Sequence, residues 1–311
     1  MSSIVSRRAR EVQPASRARR RHGWIGLAFI GPGLLLFLVA VVYPIFGAVQ
    51  MSFFHWQILA GAVSEWIGLD NYVQAVRDPL FWSSLLNSGV YMLLTVPPQI
   101  VLGLLVAVLL KRASPTQPIF RALFYLPVVT SWVVVSLLFK YLFADQGLIN
   151  FTLHDFLHLM SQDVSWLSSR WTAMIAICAL GVWKGIGWSM MIFLAALQGV
   201  PESLEEAATM DGAGRWRRFR VVTLPAIWPS MVFVIVLLVI GGLNVFTSVV
   251  VMTNGGPADA TQVVLTYMYQ QAFKNLDFGY GSAIAVLLAI IVLILSLIQL
   301  RVFRDRSEVA S

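Results

Sequence analysis

Residues 201–229 read PESLEEAATMDGAGRWRRFRVVTLPAIWP, and they separate two long apolar runs. Pro201 suits the first turn of a helix, where its missing N–H costs nothing, and the glutamates that follow favour the positive end of the helix dipole. Asp211-Gly212 is a stop signal, because glycine adopts the left-handed conformation that commonly ends a helix. The stretch therefore predicts a short helix, a glycine turn and a second, basic and aromatic helix.

An amphipathic helix lying on the membrane surface is the alternative interpretation of the first helix. Leu204, Ala207 and Ala208 form a small apolar face, and such small side chains let the backbone of a partner come close. The acidic first turn argues against a surface helix, since the polar face of such a helix usually carries Lys and Arg. The pattern favours a helix that docks on another protein.

Long apolar segments flank this stretch on both sides. The 311 residues are 58% hydrophobic and 12% charged, whereas about a quarter of the residues in a soluble domain are charged. A helix of about 20 apolar residues crosses the hydrocarbon core, and only a helix satisfies its own backbone there. The predicted spans are 24–49, 84–110, 119–143, 171–197, 229–252 and 281–302. The sequence thus predicts an all-α, polytopic membrane protein with a transmembrane domain over 23–305.

Positive charge is divided unequally between the connecting segments. With the N-terminus inside, the inside segments hold most of the Lys and Arg residues, whereas the outside segments hold only Arg77, Arg170 and Lys274. This bias predicts that both termini are cytoplasmic. The net charge of +7 is therefore attributed to topology and lipid contact, and no nucleic-acid partner is expected. Residues 1–22 are predicted to be a disordered basic arm, 198–228 a cytoplasmic loop and 306–311 a cytoplasmic tail.

The loop at 201–229 resembles the EAA loop of binding-protein-dependent ABC importer permeases. The resemblance rests on Glu206-Ala207-Ala208, Asp211-Gly212-Ala213, Phe219, Leu224-Pro225 and Pro229. Other segments resemble the carbohydrate branch, the MalF-like maltose permeases: GLDNY at 68–72, DPLFW at 78–82, FYLP at 124–127, TNGGP at 253–257 and FGYG at 278–281. The resemblance covers about residues 24–305 and implies the type I ABC importer permease fold, with six transmembrane helices, in a bacterial inner membrane.

The resemblance implies that the work of transport is divided between subunits. The EAA helix would dock on a separate ATPase, with Glu206 making a charge contact, Ala207 and Ala208 permitting close packing, and Gly212 setting the turn between Asp211 and Ala213. Further expected partners are a second, homologous permease, a second ATP-binding subunit and an extracytoplasmic solute-binding protein. The sequence contains no G-x-x-x-x-G-K-[ST] phosphate loop, so ATP hydrolysis is expected in the partners. No cofactor and no metal site are expected.

One charged residue lies deep within a predicted span. Lys184 is near the middle of the fourth span, with Trp183 and Trp188 close by. Aromatic faces combined with a few polar groups suit a sugar, so these three residues are candidates for the substrate path. The alternative is a structural lysine that bonds backbone carbonyls at a kink. Asn244 and Phe246 in the fifth span are further candidates, and the alternative for Asn244 is a hydrogen bond to a neighbouring helix.

These features favour a permease subunit of an ATP-driven ABC importer for a mono- or oligosaccharide. A subunit that imports glycerol-3-phosphate or another polyol or sugar phosphate is the alternative, since Lys184 suits an anion. An ion-coupled secondary transporter is less favoured, because such proteins use intramembrane carboxylates and the six predicted spans contain no Asp or Glu.

Overall fold

The computed structural model describes residues 29–56, 63–111 and 115–307, and it describes side chains as far as residue 303. Among these residues, five helical segments are long and apolar enough to cross a membrane, one of which, Trp228–Met252, contains a short interruption. A bent helix pair raises the number to six if it forms one span. The predicted basic arm, 1–22, lies outside the described residues, as do positions 308–311 of the predicted tail. The all-α prediction is confirmed.

In chain order, the elements are helix α1 (Phe29–Met51), strands β1 (Phe54–His55) and β2 (Glu65–Trp66), and helices α2 (Asp70–Arg77), α3 (Pro79–Leu110), α4 (Gln117–Val129), α5 (Trp132–Leu142), α6 (Leu148–Asn150), α7 (Arg170–Gln198), α8 (Glu202–Met210), α9 (Arg215–Arg218), α10 (Leu224–Ala226), α11 (Trp228–Leu243), α12 (Thr247–Met252), α13 (Val264–Tyr269) and α14 (Phe278–Ser307). Wider π-type turns occur at Leu38–Val42, Phe151–Phe156, Phe219–Thr223 and Gln270–Lys274. The two strands pair antiparallel, with Phe54 opposite Trp66. The described residues before Met51 belong to one compact unit, and those from Met51 onward to a second.

Helices α3 and α7 pack closely because glycines face the partner helix. A Cβ atom on Gly103 of α3 would lie 2.7 Å from the Cβ of Ser189 on α7. On α7, Gly181 lies against the hydroxyl of Tyr91, and Gly185 lies against the side chain of Gln99. Small residues at such positions let two backbones approach. The packing fixes which face of α3 is turned toward α7.

Asp78 ties the N-terminal end of α3 to the last two helices. Its Oδ1 accepts a hydrogen bond from the backbone N–H of Leu80 at 2.8 Å, and its Oδ2 accepts from the hydroxyls of Tyr267 and Tyr280. Burial acts to raise the pKa of Asp78, but these hydrogen bonds outweigh it and hold the pKa below its usual value. Burial and the bond to Asp78 raise the pKa of Tyr267 to about 12. The carboxylate is therefore a charged cap on α3.

The segment predicted as a single span at 119–143 consists of two helices. Helices α4 and α5 meet at 95°, because Thr130 and Ser131 between them adopt extended backbone conformations. Pro127 lies in the last turn of α4, where it lacks the N–H that would continue the helical bonding. The span predicted at 229–252 is also interrupted, since α11 ends at Leu243 and α12 begins at Thr247. By contrast, α3 runs unbroken through Pro97 and Pro98.

Candidate substrate cavity and coupling loop

A cavity of about 440 Å³ lies between α3, α5, α7 and α11, and Val128 at the end of α4 completes its wall. Five helices therefore contribute, and the side chains that carry polar or aromatic groups are Tyr91, Thr95, Gln99, Trp132, Lys184 and Trp188. The wall from α11 is formed by Leu237, Leu238, Gly241 and Gly242. The cavity combines two indole rings with a small number of polar groups, which is the usual composition of a ligand pocket.

Tyr91 and Gln99 line the cavity without hydrogen-bond partners among the described residues. They are 5% and 7% exposed, and they lie eight residues apart on α3, so both face the glycines of α7. Thr95 between them is different, because its hydroxyl donates to the backbone oxygen of Tyr91 at 2.8 Å. The polar atoms of Tyr91 and Gln99 are not among the fully enclosed unpaired atoms of the described residues, and both side chains border the cavity. The Tyr91 hydroxyl and the Gln99 amide are therefore open to the cavity, where a ligand could bond them.

Lys184 reaches the cavity wall, but its ammonium group is held by the break between α4 and α5. Its Nζ donates to the backbone oxygens of Pro127 at 2.5 Å and Thr130 at 2.7 Å. The same atom lies 5.0 Å from the ring centroid of Trp132, within cation–π range. The side chain is 4% exposed. These contacts match the alternative that Lys184 is a structural lysine at a kink.

The two tryptophans near Lys184 lie on different faces of α7. Trp188 is four residues from Lys184 and lines the cavity, as helical geometry requires. Trp183 does not line this cavity, and it packs against Phe139 of α5 with ring centroids 5.6 Å apart. Of the two candidates, only Trp188 therefore lines the 440 Å³ cavity.

Asn244 and Phe246 line a second cavity of about 290 Å³ at the interruption between α11 and α12. Tyr91, Trp132 and Gly241 line both cavities, so the two spaces adjoin. The Asn244 amide donates to the oxygen of Ile240 in its own helix at 2.8 Å. Ser248 was not predicted as a site residue, yet its buried hydroxyl has no partner among the described residues. Irregular backbone within a span is tolerated where it lines such a cavity.

The predicted coupling loop folds as two helices with a glycine turn. Helix α8 ends at Met210, and Gly212 follows with φ +75°, in the left-handed region. The N–H groups of Asp211, Gly212 and Ala213 donate to the backbone oxygens of Ala207, Thr209 and Ala208 at 3.1, 3.0 and 2.9 Å. The turn therefore satisfies the last carbonyls of the helix.

The outward face of α8 carries the residues predicted to meet a partner. Glu206 and Ala207 are exposed, as are Asp211 and Gly212, whereas Ala208 and Ala213 are half-buried. The Glu206 carboxylate has no bond to another described residue. Glu205, one position earlier, is turned inward and pairs with Lys111 at the end of α3 at 2.5 Å. The structure thus separates two adjacent glutamates onto two faces.

Sequence reasoning missed the polar stripe on α3 that forms a wall of the cavity. Neither Gln99 nor Tyr91 is among the residues that the sequence predicts for the substrate path. The signal was available, because Ser84, Ser88, Tyr91, Thr95 and Gln99 recur at intervals of three or four residues within an apolar span. That spacing places them on one helix face.

Comparison with known proteins gives consistent matches along the chain. Residues 99–307 match the family model described as "Binding-protein-dependent transport system inner membrane component". The chain is 34% identical to the arabinooligosaccharides transport system permease protein AraP of Bacillus subtilis, covering 93% of this chain and 95% of AraP. It is 31% identical to the lactose transport system permease protein LacF of Rhizobium radiobacter, covering 92% of this chain and 95% of LacF.

The fold is similar to that of a solved transporter chain. The match is to a chain in the crystal structure of a bacterial alginate ABC transporter in complex with an alginate pentasaccharide-bound periplasmic protein. The TM-score is 0.80 at 22% sequence identity, and the alignment covers 94% of this chain and 99% of the other. The predicted fold class is thereby confirmed.

Proposed function

Because the chain belongs to the family of binding-protein-dependent transport system inner membrane components, we propose that it moves a neutral mono- or oligosaccharide through the cavity between α3, α5, α7 and α11. The chain is a multi-pass permease component, and its family partners supply ATP hydrolysis. The observation that carries the proposal is the cavity at two helix interruptions, which holds an unpaired hydroxyl, an unpaired amide and two indole rings.

The state of Lys184 favours a neutral solute over a sugar phosphate. The Lys184 ammonium donates to three backbone oxygens, those of Pro127 at 2.5 Å, Thr130 at 2.7 Å and Val128 at 3.4 Å, so each of its three N–H groups has an acceptor. An anion would have to displace at least one of these bonds, whereas the side chains of Tyr91 and Gln99 offer free groups that suit sugar hydroxyls. The relatives named for lactose and arabinooligosaccharide transport support the same substrate class. A sugar phosphate is the second candidate, and uptake of glycerol-3-phosphate compared with uptake of the two sugars distinguishes the two classes.

The proposed assembly contains a second permease, two ATP-binding subunits and an extracytoplasmic solute-binding protein. The complex of the alginate transporter with a periplasmic protein supports the last of these partners. We place both termini in the cytoplasm, because this puts the basic loop at 215–220 inside. Helix α8 is then cytoplasmic, and its exposed Glu206 and Ala207 form the docking face for an ATP-binding subunit.

The substitutions Gln99→Leu and Tyr91→Phe test the cavity. Each removes one hydrogen-bonding group from a sugar, which is worth about 0.5–1.5 kcal/mol, so we expect the KM for uptake to rise about 2- to 10-fold. Uptake is measured in proteoliposomes containing the complete importer and its binding protein, with lactose, an arabinotriose and glycerol-3-phosphate as probes. The matched control is Gln299→Leu, which removes a glutamine of α14 that does not line the cavity.

The outcome separates the candidate substrates. The proposal predicts uptake of at least one sugar, a raised KM in both cavity variants and an unchanged KM in the control. Uptake of glycerol-3-phosphate without either sugar would establish the sugar-phosphate alternative instead. An unchanged KM in both cavity variants would place the substrate path elsewhere.

A further inference from the structure

We propose that the ion pair between Lys111 and Glu205 is the link through which α8 moves the cavity wall formed by α3. The proposal rests on the proposed function, in which α8 docks on an ATP-binding subunit. It assigns the two neighbouring glutamates different roles: Glu206 faces the partner, and Glu205 faces the transmembrane helices.

The geometry of the pair follows from the ends of two helices. Lys111 directly follows Leu110, the last residue of α3, where a cation is favoured by the helix dipole. Glu205 lies in the first turn of α8, where an anion is favoured for the same reason. The Lys111 ammonium and the Glu205 carboxylate are 2.5 Å apart. The pair thus joins a negative helix end to a positive one.

The pair is the side-chain connection from α8 to α3. In the described ranges 29–56, 63–111 and 115–303, no other side-chain hydrogen bond runs from α8 to a helix long enough to cross the membrane. Thr209 and Arg218 bond each other at 2.6 Å, within the loop. Thr223 approaches the same Glu205 oxygen at 3.5 Å. Glu205 therefore lies where α8, the returning loop and α3 meet.

Helix α3 extends without interruption from Lys111 to the substrate cavity. Gln99 is twelve residues before Lys111, or about 18 Å along a helix. Beyond it, Thr95 and Tyr91 continue the same cavity wall. A displacement of Lys111 is transmitted as far as Gln99, because the helix contains no proline and no break between these two residues. Helix α7 is joined to α8 by the chain and packs against α3, and Lys111 adds a direct polar contact between α3 and α8.

The Lys111–Glu205 pair positions α8 relative to the end of α3 and adds little to the free energy of unfolding. Its side chains are 30% and 32% exposed, and a partly solvated ion pair is worth about 1 kcal/mol or less. Charge-reversed variants should therefore fold and assemble. A change in transport would then report a lost connection.

The test follows the cavity directly and requires no known solute. A reporter cysteine is placed by Gly241→Cys, where a side chain meets open space, in a Cys178→Ala background. The complete importer is held in lipid nanodiscs, and the rate of maleimide labelling is measured with and without ATP and vanadate. Glu205→Lys and Lys111→Glu are compared with the double exchange that restores the pair. Lys111→Arg serves as the conservative variant.

In the protein that keeps the Lys111–Glu205 pair, we expect ATP and vanadate to change the labelling rate several-fold. In each charge reversal, the ratio of the labelling rates with and without nucleotide should fall close to one. ATP hydrolysis should persist in both, and the double exchange and Lys111→Arg should recover the response. The matched control is Glu202→Lys, in the same turn of α8, whose carboxylate has no bond to another described residue. It should keep the response.

Three results would overturn the link. The first is a normal response in both single reversals, and the second is a double exchange that restores nothing. The third is loss of the ATP-binding subunits from the reversed variants, which would make the pair a docking element. If nucleotide leaves labelling unchanged in the unaltered pair, the coupled transport function itself is contradicted.

Discussion

Replacing Gly212 with proline is expected to reduce uptake to background while the binding protein still recognises the permease. Gly212 has φ +75°, whereas proline fixes φ near −65°, so the turn after α8 cannot form. Proline also removes the N–H that donates to the oxygen of Thr209 at 3.0 Å. The helix would end in a different direction, and its exposed face would miss the ATP-binding subunit. Uptake and ATPase stimulation in proteoliposomes measure this effect.

Gly212→Asn is the control for this substitution. A Cβ atom at position 212 meets no atom within 4 Å, so bulk alone causes no clash. Asparagine tolerates the left-handed region better than other non-glycine residues, and we expect it to retain most of the uptake. Gly212→Ala should fall between the two, at a cost of about 1 kcal/mol. Normal uptake with normal ATPase assembly in Gly212→Pro would disprove the coupling role of this turn.

Replacing Lys184 with methionine is expected to destabilise the permease and to abolish uptake of every solute. The change leaves the oxygens of Pro127 and Thr130 without their charged donor, and hydrogen bonds to charged groups are worth about 1.5–3 kcal/mol each. The break between α4 and α5 would then lose the two hydrogen bonds that hold it, and the cavity wall at Trp132 would shift. The measurements are the thermal midpoint in detergent and uptake in proteoliposomes.

Lys140→Met is the matched control, since it removes an exposed lysine from α5 that bonds no described residue. It should leave both the midpoint and uptake close to those of the unaltered chain. A different result for Lys184→Met would identify an anion ligand instead. In that case the midpoint would be unchanged, uptake of an anionic solute would fall and uptake of lactose would persist.

The sequence predicts the helical class and the two helices with a glycine turn at 201–229 well, because both depend on local chemistry. A long apolar segment must be helical in lipid, and Asp211-Gly212 ends a helix for reasons contained within a few residues. The fate of Trp183 was also predictable, since adjacent residues on a helix point about 100° apart and cannot share the cavity face of Lys184. The error there came from reading neighbours in sequence as neighbours in space.

The break between α4 and α5 could not be read from hydropathy. The segment at 119–143 is continuously apolar, and Pro127 alone is compatible with a mild kink. At the 95° bend, the backbone oxygens of Pro127 and Thr130 have no partner in a continuous helix, and the Lys184 ammonium group of α7 donates to both. A pairing over more than fifty residues of chain is invisible to any local pattern. For the same reason, the sequence left Lys184 open between a substrate contact and a structural lysine at a kink.

Both ends of helix α3 are connected to other elements by polar side-chain contacts. Asp78 anchors one end to Tyr267 and Tyr280, and Lys111 anchors the other to Glu205. Because both ends of α3 make polar contacts with other elements, bending within the helix breaks fewer contacts than a rotation of the whole helix. The most compliant point is the pair Pro97 and Pro98, where two backbone hydrogen bonds are missing. Bowing there would displace the adjoining Gln99 more than either end, so the motion would be largest where the helix faces the solute.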